Sequence, residues 1–145
     1  MPNRLPVIPC ENRHLNKLEA YIAEMELDGR NIDAGEFMLI EGPTRIKAFG
    51  RIKHFDGYDE LCTLGVVKDL RHLGLGAKLV KALCQASNVP LYLVCIIPDW
   101  FKTLGFEICS NYPEMIEQKR LYCTNHLLVE TPYVVMKFVG LPTEN

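Results

Sequence analysis

The sequence predicts one α/β domain with a mixed central sheet whose N-terminal half is antiparallel. Two observations favour this class. Short apolar or alternating segments, which are typical of strands, fill much of residues 36–67. An amphipathic helical period over residues 74–86 is followed by the apolar segment 91–97, and together they indicate a strand–helix–strand crossover. A sheet of this kind carries helices on both faces.

The composition is that of an ordinary globular protein. The 145 residues are 48% hydrophobic and 23% charged, with a net charge of −2, so we expect a single domain over residues 1–145 with its own core. This charge balance gives no electrostatic reason to expect nucleic acid or a membrane as a partner. The longest apolar run, residues 91–97, is far shorter than the about 20 residues that cross a bilayer.

The six cysteines are predicted to be free thiols. No pair has metal-ligand spacing, so no metal is expected, and a core of this size needs no disulfides. Residues 1–14 contain no apolar segment typical of a signal peptide. We therefore expect a cytoplasmic protein.

The first half of the chain begins with a predicted helix. Apolar residues recur at three and four positions across residues 15–25, which is the spacing of an amphipathic helix. Asn12 is suited to cap its start and Gly29 to end it.

Three predicted strands follow. Residues 36–41 contain a short apolar run, and Asp56-Gly57 marks a hairpin turn before residues 58–67. Between them, residues 44–55 alternate in polarity, which predicts a strand with one solvated face. That face carries Phe49 and the basic residues Arg45, Lys47, Arg51 and Lys53.

The second half alternates helices and strands. The helix at residues 74–86 has a leucine stripe, and the nearly all-apolar segment 91–97 is typical of a buried strand. Residues 98–104 begin with proline and predict a short helix. Residues 106–109 and 132–139 are predicted strands, and the polar stretch between them is a candidate helix.

The segment from residue 71 to residue 76 carries the chemical signal. It joins a strand to a helix, and Gly74 and Gly76 allow the backbone to approach a ligand closely. Free amides and the dipole at a helix N-terminus favour an anion there, and Arg71 adds a positive charge. These features favour a pyrophosphate site. The same residues also fit a plain glycine-rich turn with a solvated Arg71.

Of two known phosphate-binding loops, one is excluded and the other fits the sequence poorly. No Walker A pattern exists in the chain. A dinucleotide-binding fingerprint needs three spaced glycines and an acidic residue at the end of the next strand. Here the first acid after that strand is Asp99.

The pattern Arg71-x-x-Gly74-x-Gly76 resembles the acyl-CoA signature of the GNAT N-acetyltransferases. The preceding Leu64-Gly65-Val66-Val67 resembles the splayed strand of that family. Glu60 lies eleven residues before Arg71, where many members carry a catalytic glutamate. Residues 100–106 and 113–122 are similar to the acetyltransferase domain of N-acetylglutamate synthases.

The resemblance implies a single-domain GNAT fold, with the splayed strand at the acyl-CoA site, that transfers an acetyl group from acetyl-CoA to a primary amine. It implies that Glu60 takes a proton from the amine and that the Val66 amide stabilises the oxyanion. Trp100 and Phe101 are placed at the acceptor. The acyl-CoA would be held by Leu64, Gly65, Val66, Arg71, His72, Leu73, Gly74, Leu75, Gly76 and Ala77.

One residue departs from the family pattern. Many members have a tyrosine where Phe101 stands, and that tyrosine protonates the departing thiolate. Tyr112, Tyr122, Cys95 or water could replace it. A non-catalytic acyl-CoA-binding module is therefore an alternative to an enzyme.

The acceptor and the assembly state stay open. The expected acceptor is a small amine or amino acid, with glutamate first by resemblance. A protein lysine or N-terminus is second. A homodimer is left open.

Overall fold

The computed structural model describes residues 5–127 and 129–140. These residues form a mixed seven-stranded sheet with the hydrogen-bonded order β1-β2-β3-β4-β5-β7-β6. The described helices are α1 (Leu15–Glu24), α2 (Leu75–Ala86), α3 (Pro98–Lys102) and α4 (Glu114–His126). The strands are β1 (Val7–Pro9), β2 (Phe37–Glu41), β3 (Ile46–His54), β4 (Asp59–Val66), β5 (Leu91–Cys95), β6 (Phe106–Ile108) and β7 (Val134–Phe138).

The described residues divide into two compact units. The first contains residues 5–53 and 61–86, and the second contains residues 54–60, 87–127 and 129–140. In the first unit, β1 pairs with β2 and β2 pairs with β3, both antiparallel. This confirms the antiparallel N-terminal half of the predicted sheet.

Helices cover both faces of the sheet in the first unit. Leu18 and Ile22 of α1 pack in one cluster with Phe49 of β3. The next residue, Gly50, faces the other way, because successive strand residues point to opposite faces. An ideal Cβ on Gly50 would lie 2.7 Å from Cδ1 of Leu83 in α2. The predicted arrangement of helices is therefore confirmed.

The predicted solvated face of β3 is wrong. Phe49 is fully buried, and Arg51 is 2% exposed. Phe49 lies beneath α1, and the Arg51 guanidinium lies 2.6 Å from a carboxylate oxygen of Glu36. The alternation of polar residues was misleading because a paired guanidinium can be buried.

The start of the chain also differs from the prediction. Residues Val7–Pro9 form an edge strand that was not predicted, since three residues including a proline carry little strand signal. Asn12 does not cap α1, because it lies in an additional 3-10 turn where the Glu11 amide donates to Nδ1 of His14 at 2.9 Å. The helix ends at Glu24, so Gly29 does not end it.

The second unit contains the crossover strand and its neighbours. The parallel pairing of β4 with β5 covers Asp59↔Leu91 and Glu60↔Tyr92, a short register of the kind that a splayed strand implies. β5 pairs with β7, and β7 with β6, both antiparallel. The candidate helix in the polar stretch is α4, whose Ile116 packs with Tyr92 and Val135.

The six cysteines are free thiols. Burial raises the pKa of Cys84 to about 12 and that of Cys95 to about 11. Among the described residues, no helix is long and apolar enough to cross a bilayer. The same residues contain no cluster of histidine, cysteine and carboxylate side chains suited to a metal ion.

An ion pair near the start of α4 makes the stability of this helix depend on pH. Arg120 donates to Glu117 at 2.6 Å and 2.8 Å, and the Tyr112 hydroxyl donates to it at 2.8 Å. These hydrogen bonds, that of Arg120 above all, lower the pKa of Glu117 from 4.5 to about 2. The stabilisation is present above the ordinary pKa and is lost as the pH falls through about 2.

We expect Glu117→Gln to lower the melting temperature at neutral pH, because the substitution removes the charge that Arg120 binds. The difference from the parent protein should shrink as the pH is lowered from about 4.5 toward 2, because the unfolded parent chain takes up a proton at Glu117 before the folded chain does. Circular dichroism melts measure both effects. Glu114→Gln, at an exposed position in the same turn, is the control. A difference that stays constant with pH would contradict this prediction.

Candidate active site

The segment that joins β4 to α2 folds as a compact loop. Residues Lys68–Leu70 form a 3-10 turn, and the Leu73 amide donates to the carbonyl of Leu70 at 3.3 Å. Gly74 then has a φ of +77°, and its carbonyl accepts the amide of Lys78 at 3.1 Å. The loop therefore turns directly into the first turn of α2.

The loop presents backbone donors at the positive end of a helix. The amides of Leu75, Gly76 and Ala77 lie in the first turn of α2, where no intrahelical acceptor exists. Residues 71–74 are exposed, and an ideal Cβ on Gly74 would have no atom within 4 Å. This arrangement can receive the phosphate groups of a ligand.

The first three residues of the predicted phosphate loop, Arg71, His72 and Leu73, differ in their contacts. The exposed Arg71 donates from Nε to the carbonyl of Val66 at 3.0 Å, so it ties the loop to the end of β4 and brings a positive charge there. His72 is exposed. Leu73 has its amide engaged within the turn, so the free donors of the loop lie after it rather than at it.

Gly65 is required by packing. An ideal Cβ at this position would lie 2.5 Å from Cζ of Phe49 and 2.8 Å from Sδ of Met25, closer than side chains approach in folded proteins. The neighbouring Leu64 and Val66 are half-buried. The structure thus brings residues 64–66 and 71–77 together in the first unit, at the end of β4.

Glu60 lies in the second unit and is not a free carboxylate. Its Oε2 accepts a hydrogen bond from Nζ of Lys119 at 2.9 Å, and the two residues are 3% and 8% exposed. Burial, and next the charge of Glu60, raise the pKa of Tyr58. Lys119 has no signal in the sequence as a partner of Glu60, because the two residues lie 59 positions apart and no local pattern links them.

The neighbouring Asp59 is held by two other groups. His54 Nδ1 lies 2.8 Å from one carboxylate oxygen, and the Ser87 hydroxyl donates to the other at 2.7 Å. Asp59 is 4% exposed. With both oxygens engaged, it is less suited than a singly paired carboxylate to accept a further proton.

Trp100 and Phe101 lie in α3, which belongs to the second unit. Phe101 is 5% exposed, and its ring centroid lies 4.8 Å from that of Trp100 and 5.6 Å from that of Phe106. Trp100 is half-buried. Phe101 is therefore a core residue, whereas Trp100 keeps part of its ring accessible.

The Tyr112 phenol has a structural partner. It donates to Glu117 at 2.8 Å, and this hydrogen bond, with burial, raises its pKa. Its proton is already committed to a carboxylate.

We expect Lys119→Met to lower the free energy of unfolding by about 3–5 kcal/mol, because Glu60 is left as an unpaired buried charge. The double variant Glu60→Gln/Lys119→Met should recover most of this loss. Urea denaturation of the parent, Glu60→Gln, Lys119→Met and the double variant measures the four free energies of the cycle. Additive losses in the double variant would contradict a coupled pair.

The fold can be compared with that of known proteins. No protein-family model and no curated protein matches this chain. Rv2747 from Mycobacterium tuberculosis, solved in complex with CoA, matches with a TM-score of 0.75 and 14% identity, over 94% of this chain and 99% of its own. An acetyltransferase of the GNAT family from Staphylococcus aureus matches with a TM-score of 0.70 and 16% identity, over 95% and 99%.

A larger enzyme contains the same fold. N-acetylglutamate synthase from Neisseria gonorrhoeae, complexed with coenzyme A and N-acetyl-glutamate, matches with a TM-score of 0.74 and 15% identity. The match covers 96% of this chain and 35% of the synthase, so this chain corresponds to about a third of that protein. The chain therefore has the fold of the GNAT acetyltransferases, as the sequence motifs implied.

Proposed function

We propose that this chain is an acetyl-CoA-dependent N-acetyltransferase that transfers the acetyl group directly to a primary amine. The observation that carries the proposal is the segment between β4 and α2, in which residues 71–74 are exposed and residues 75–77 form the first turn of the helix, in a chain with the GNAT fold. This segment brings together the N-terminal amides of a helix, a left-handed glycine and an arginine, a combination suited to a phosphate group.

The loop binds the pyrophosphate of the co-substrate. The amides of Leu75, Gly76 and Ala77 donate to phosphate oxygens, and Gly74 leaves open space for the ligand beside them. Arg71 adds its positive charge while its Nε anchors the loop to β4.

The end of β4 orients the acyl group. Backbone groups of Leu64, Gly65 and Val66 pair with the pantetheine arm as an added strand would. The Val66 amide donates to the carbonyl oxygen of the thioester as this oxygen gains negative charge. The thiolate of CoA, an ordinary thiol with a pKa near 8.5, leaves without a dedicated acid.

Glu60 is the base in this proposal. An amine with a pKa near 10 arrives mostly protonated, so a proton must leave before its nitrogen can attack. Glu60 accepts this proton, directly or through water. Lys119 supplies the counter-charge that lets a carboxylate exist at a buried position.

The acceptor we propose is a small molecule with a primary amine, and glutamate is the first candidate. The similarity of residues 100–106 to the synthases and the fold shared with the Neisseria gonorrhoeae enzyme support this choice. Trp100, with part of its ring accessible, forms a wall of the acceptor site. A protein lysine or N-terminus is the second candidate, and a homodimer stays a prediction.

The cell compartment we propose is the cytoplasm. The six free thiols fit a reducing environment.

A non-catalytic acyl-CoA-binding module is the second candidate function. It is favoured by Phe101, which has no proton to give and is packed into the core. Release of CoA thiol over a panel of amino acids, polyamines and lysine peptides separates the two functions. Turnover with any amine supports the enzyme, whereas tight CoA binding without turnover supports the module.

Gly74→Ala is expected to weaken CoA binding by about tenfold, because an L-residue at this left-handed φ costs about 1–2 kcal/mol and the loop relieves the cost by moving its amides. Gly57→Ala is the matched control. Gly57 also has a left-handed φ, +84°, and open space around it, but lies in the β3–β4 hairpin. Calorimetric titration with CoA measures both variants. Equal affinities would show that the loop does not hold the co-substrate.

The role of Glu60 is tested in a variant that removes both charges of the buried pair. In the Glu60→Gln/Lys119→Met variant we expect acetyl transfer to fall by about 10²-fold or more at neutral pH, although stability largely recovers, because the base is gone. Lys119→Met alone, which keeps the carboxylate, is the matched control and should be the more active of the two.

The pH dependence separates a base from a structural residue. The loss in the double variant should shrink at high pH, where the amine arrives already deprotonated. Thiol release measured from neutral to alkaline pH gives this profile. Equal turnover of the double variant and Lys119→Met at neutral pH would move the base to another residue.

A further inference from the structure

Arg51 of β3 holds the loop that follows α1. Its Nη1 donates to the carbonyl of Arg30 at 2.9 Å, and its Nη2 donates to the carbonyl of Asn31 at 2.5 Å. Nε and Nη2 also donate to Oε1 of Glu36, at 3.0 Å and 2.6 Å. The planar fork of an arginine can make all four bonds at once, and a lysine cannot. The loop backbone is thus fixed at two successive carbonyls.

Thr63 of β4 has an uncommon backbone conformation. Its φ of +50° lies in the left-handed region, where a β-branched residue is a genuine outlier and costs about 1–3 kcal/mol. Such a conformation persists when the surrounding structure enforces it. Thr63 is 7% exposed, and its hydroxyl donates to the carbonyl of Asp28 at 3.0 Å.

The two side chains hold the same short loop. Thr63 binds it at residue 28, and Arg51 binds it at residues 30 and 31. The loop therefore links β3 to the strained position of β4. Without Arg51, the Asp28 carbonyl is free to move away from the Thr63 hydroxyl, and Thr63 can relax to an extended φ.

A change of φ at Thr63 alters the direction of the strand that follows. The next residues, Leu64, Gly65 and Val66, supply the backbone groups that the proposed function assigns to the acyl-CoA. A displacement of about 1 Å at a reacting group can cost about 10²-fold in rate. The geometry at Thr63 is thus set by contacts with the loop that contains residues 28–31.

We propose that Arg51 is a positioning residue: through the carbonyls of residues 28–31 it keeps Thr63 left-handed and so directs the amides of residues 64–66. The part of this proposal that concerns catalysis rests on the proposed function. The part that concerns β4 does not.

The test compares Arg51→Met with Arg51→Met/Thr63→Gly. Glycine adopts a left-handed φ about as readily as an extended one. In Thr63→Gly, position 63 therefore needs no contacts with residues 28–31 to hold a left-handed φ. We expect Arg51→Met to weaken CoA binding and to lower kcat/KM by about 10- to 100-fold. The double variant should regain at least half of this loss on a logarithmic scale. If Arg51 only stabilises the fold, the double variant should lose at least as much CoA affinity and kcat/KM as Arg51→Met does.

Arg51→Lys is a second variant that tests the proposal even if Arg51→Met does not fold. It keeps a positive charge for Glu36, but its single nitrogen with three N–H donors cannot make the four hydrogen bonds of the guanidinium fork. We expect it to fold and to show the same losses, with rescue by Thr63→Gly. Full CoA affinity and rate in a folded Arg51→Lys protein, together with unchanged amide exchange at residues 64–66, would overturn the proposal.

Amide hydrogen exchange in the protein without ligand separates this proposal from the proposed function. In Arg51→Lys we expect faster exchange at residues 64–66 than in the parent, with the amides of β5 as the internal reference for global opening. Faster exchange with unchanged CoA affinity would support the positioning of β4 and overturn the placement of the acyl-CoA. Unchanged exchange at residues 64–66 would overturn the positioning role itself.

Discussion

The packing of Phe49 against β4 is the contact on which the first unit depends. Phe49 is fully buried, and the edge of its ring occupies the space that a side chain at position 65 would need. Met25, at the end of α1, fills the rest of that space. Gly65 is thus fixed by the core on one face of β4, while its backbone remains a candidate for ligand pairing. A single residue type satisfies both demands, because only glycine has no Cβ.

Buried charge is the second constraint on this molecule. Arg51 is buried beside a partly exposed Glu36, and Lys119 and Glu60 are both buried. Desolvation makes such pairs weak contributors to stability, but removing one partner is costly. The guanidinium of Arg51 offsets its burial with backbone carbonyls as well as with a carboxylate. Both pairs therefore fix geometry more than they add stability, which suits positions near proposed chemistry.

The phenylalanine at position 101 has a physical explanation in the second unit. Its ring packs edge-on against Phe106, and Phe106 packs against Phe138 with centroids 5.2 Å apart. A phenol hydroxyl in this row of rings would need a hydrogen-bond partner to offset its burial. The apolar ring of phenylalanine needs no hydrogen-bond partner. The packing of α3 on β6 thus suits a phenylalanine at position 101.

Local patterns in the sequence determined the positions of most helices and strands. α2 and β5 follow directly from a helical period and an apolar run, and the loop with Gly74 follows from glycine spacing, since these signals depend on neighbours in the chain. The tertiary structure alone decided which charges are buried and paired. Arg51 looked solvated in an alternating strand, and Lys119 lies 59 residues from Glu60. Thr63 is left-handed because contacts far along the chain hold it there. No local period records such contacts, because they form only when distant segments pack together.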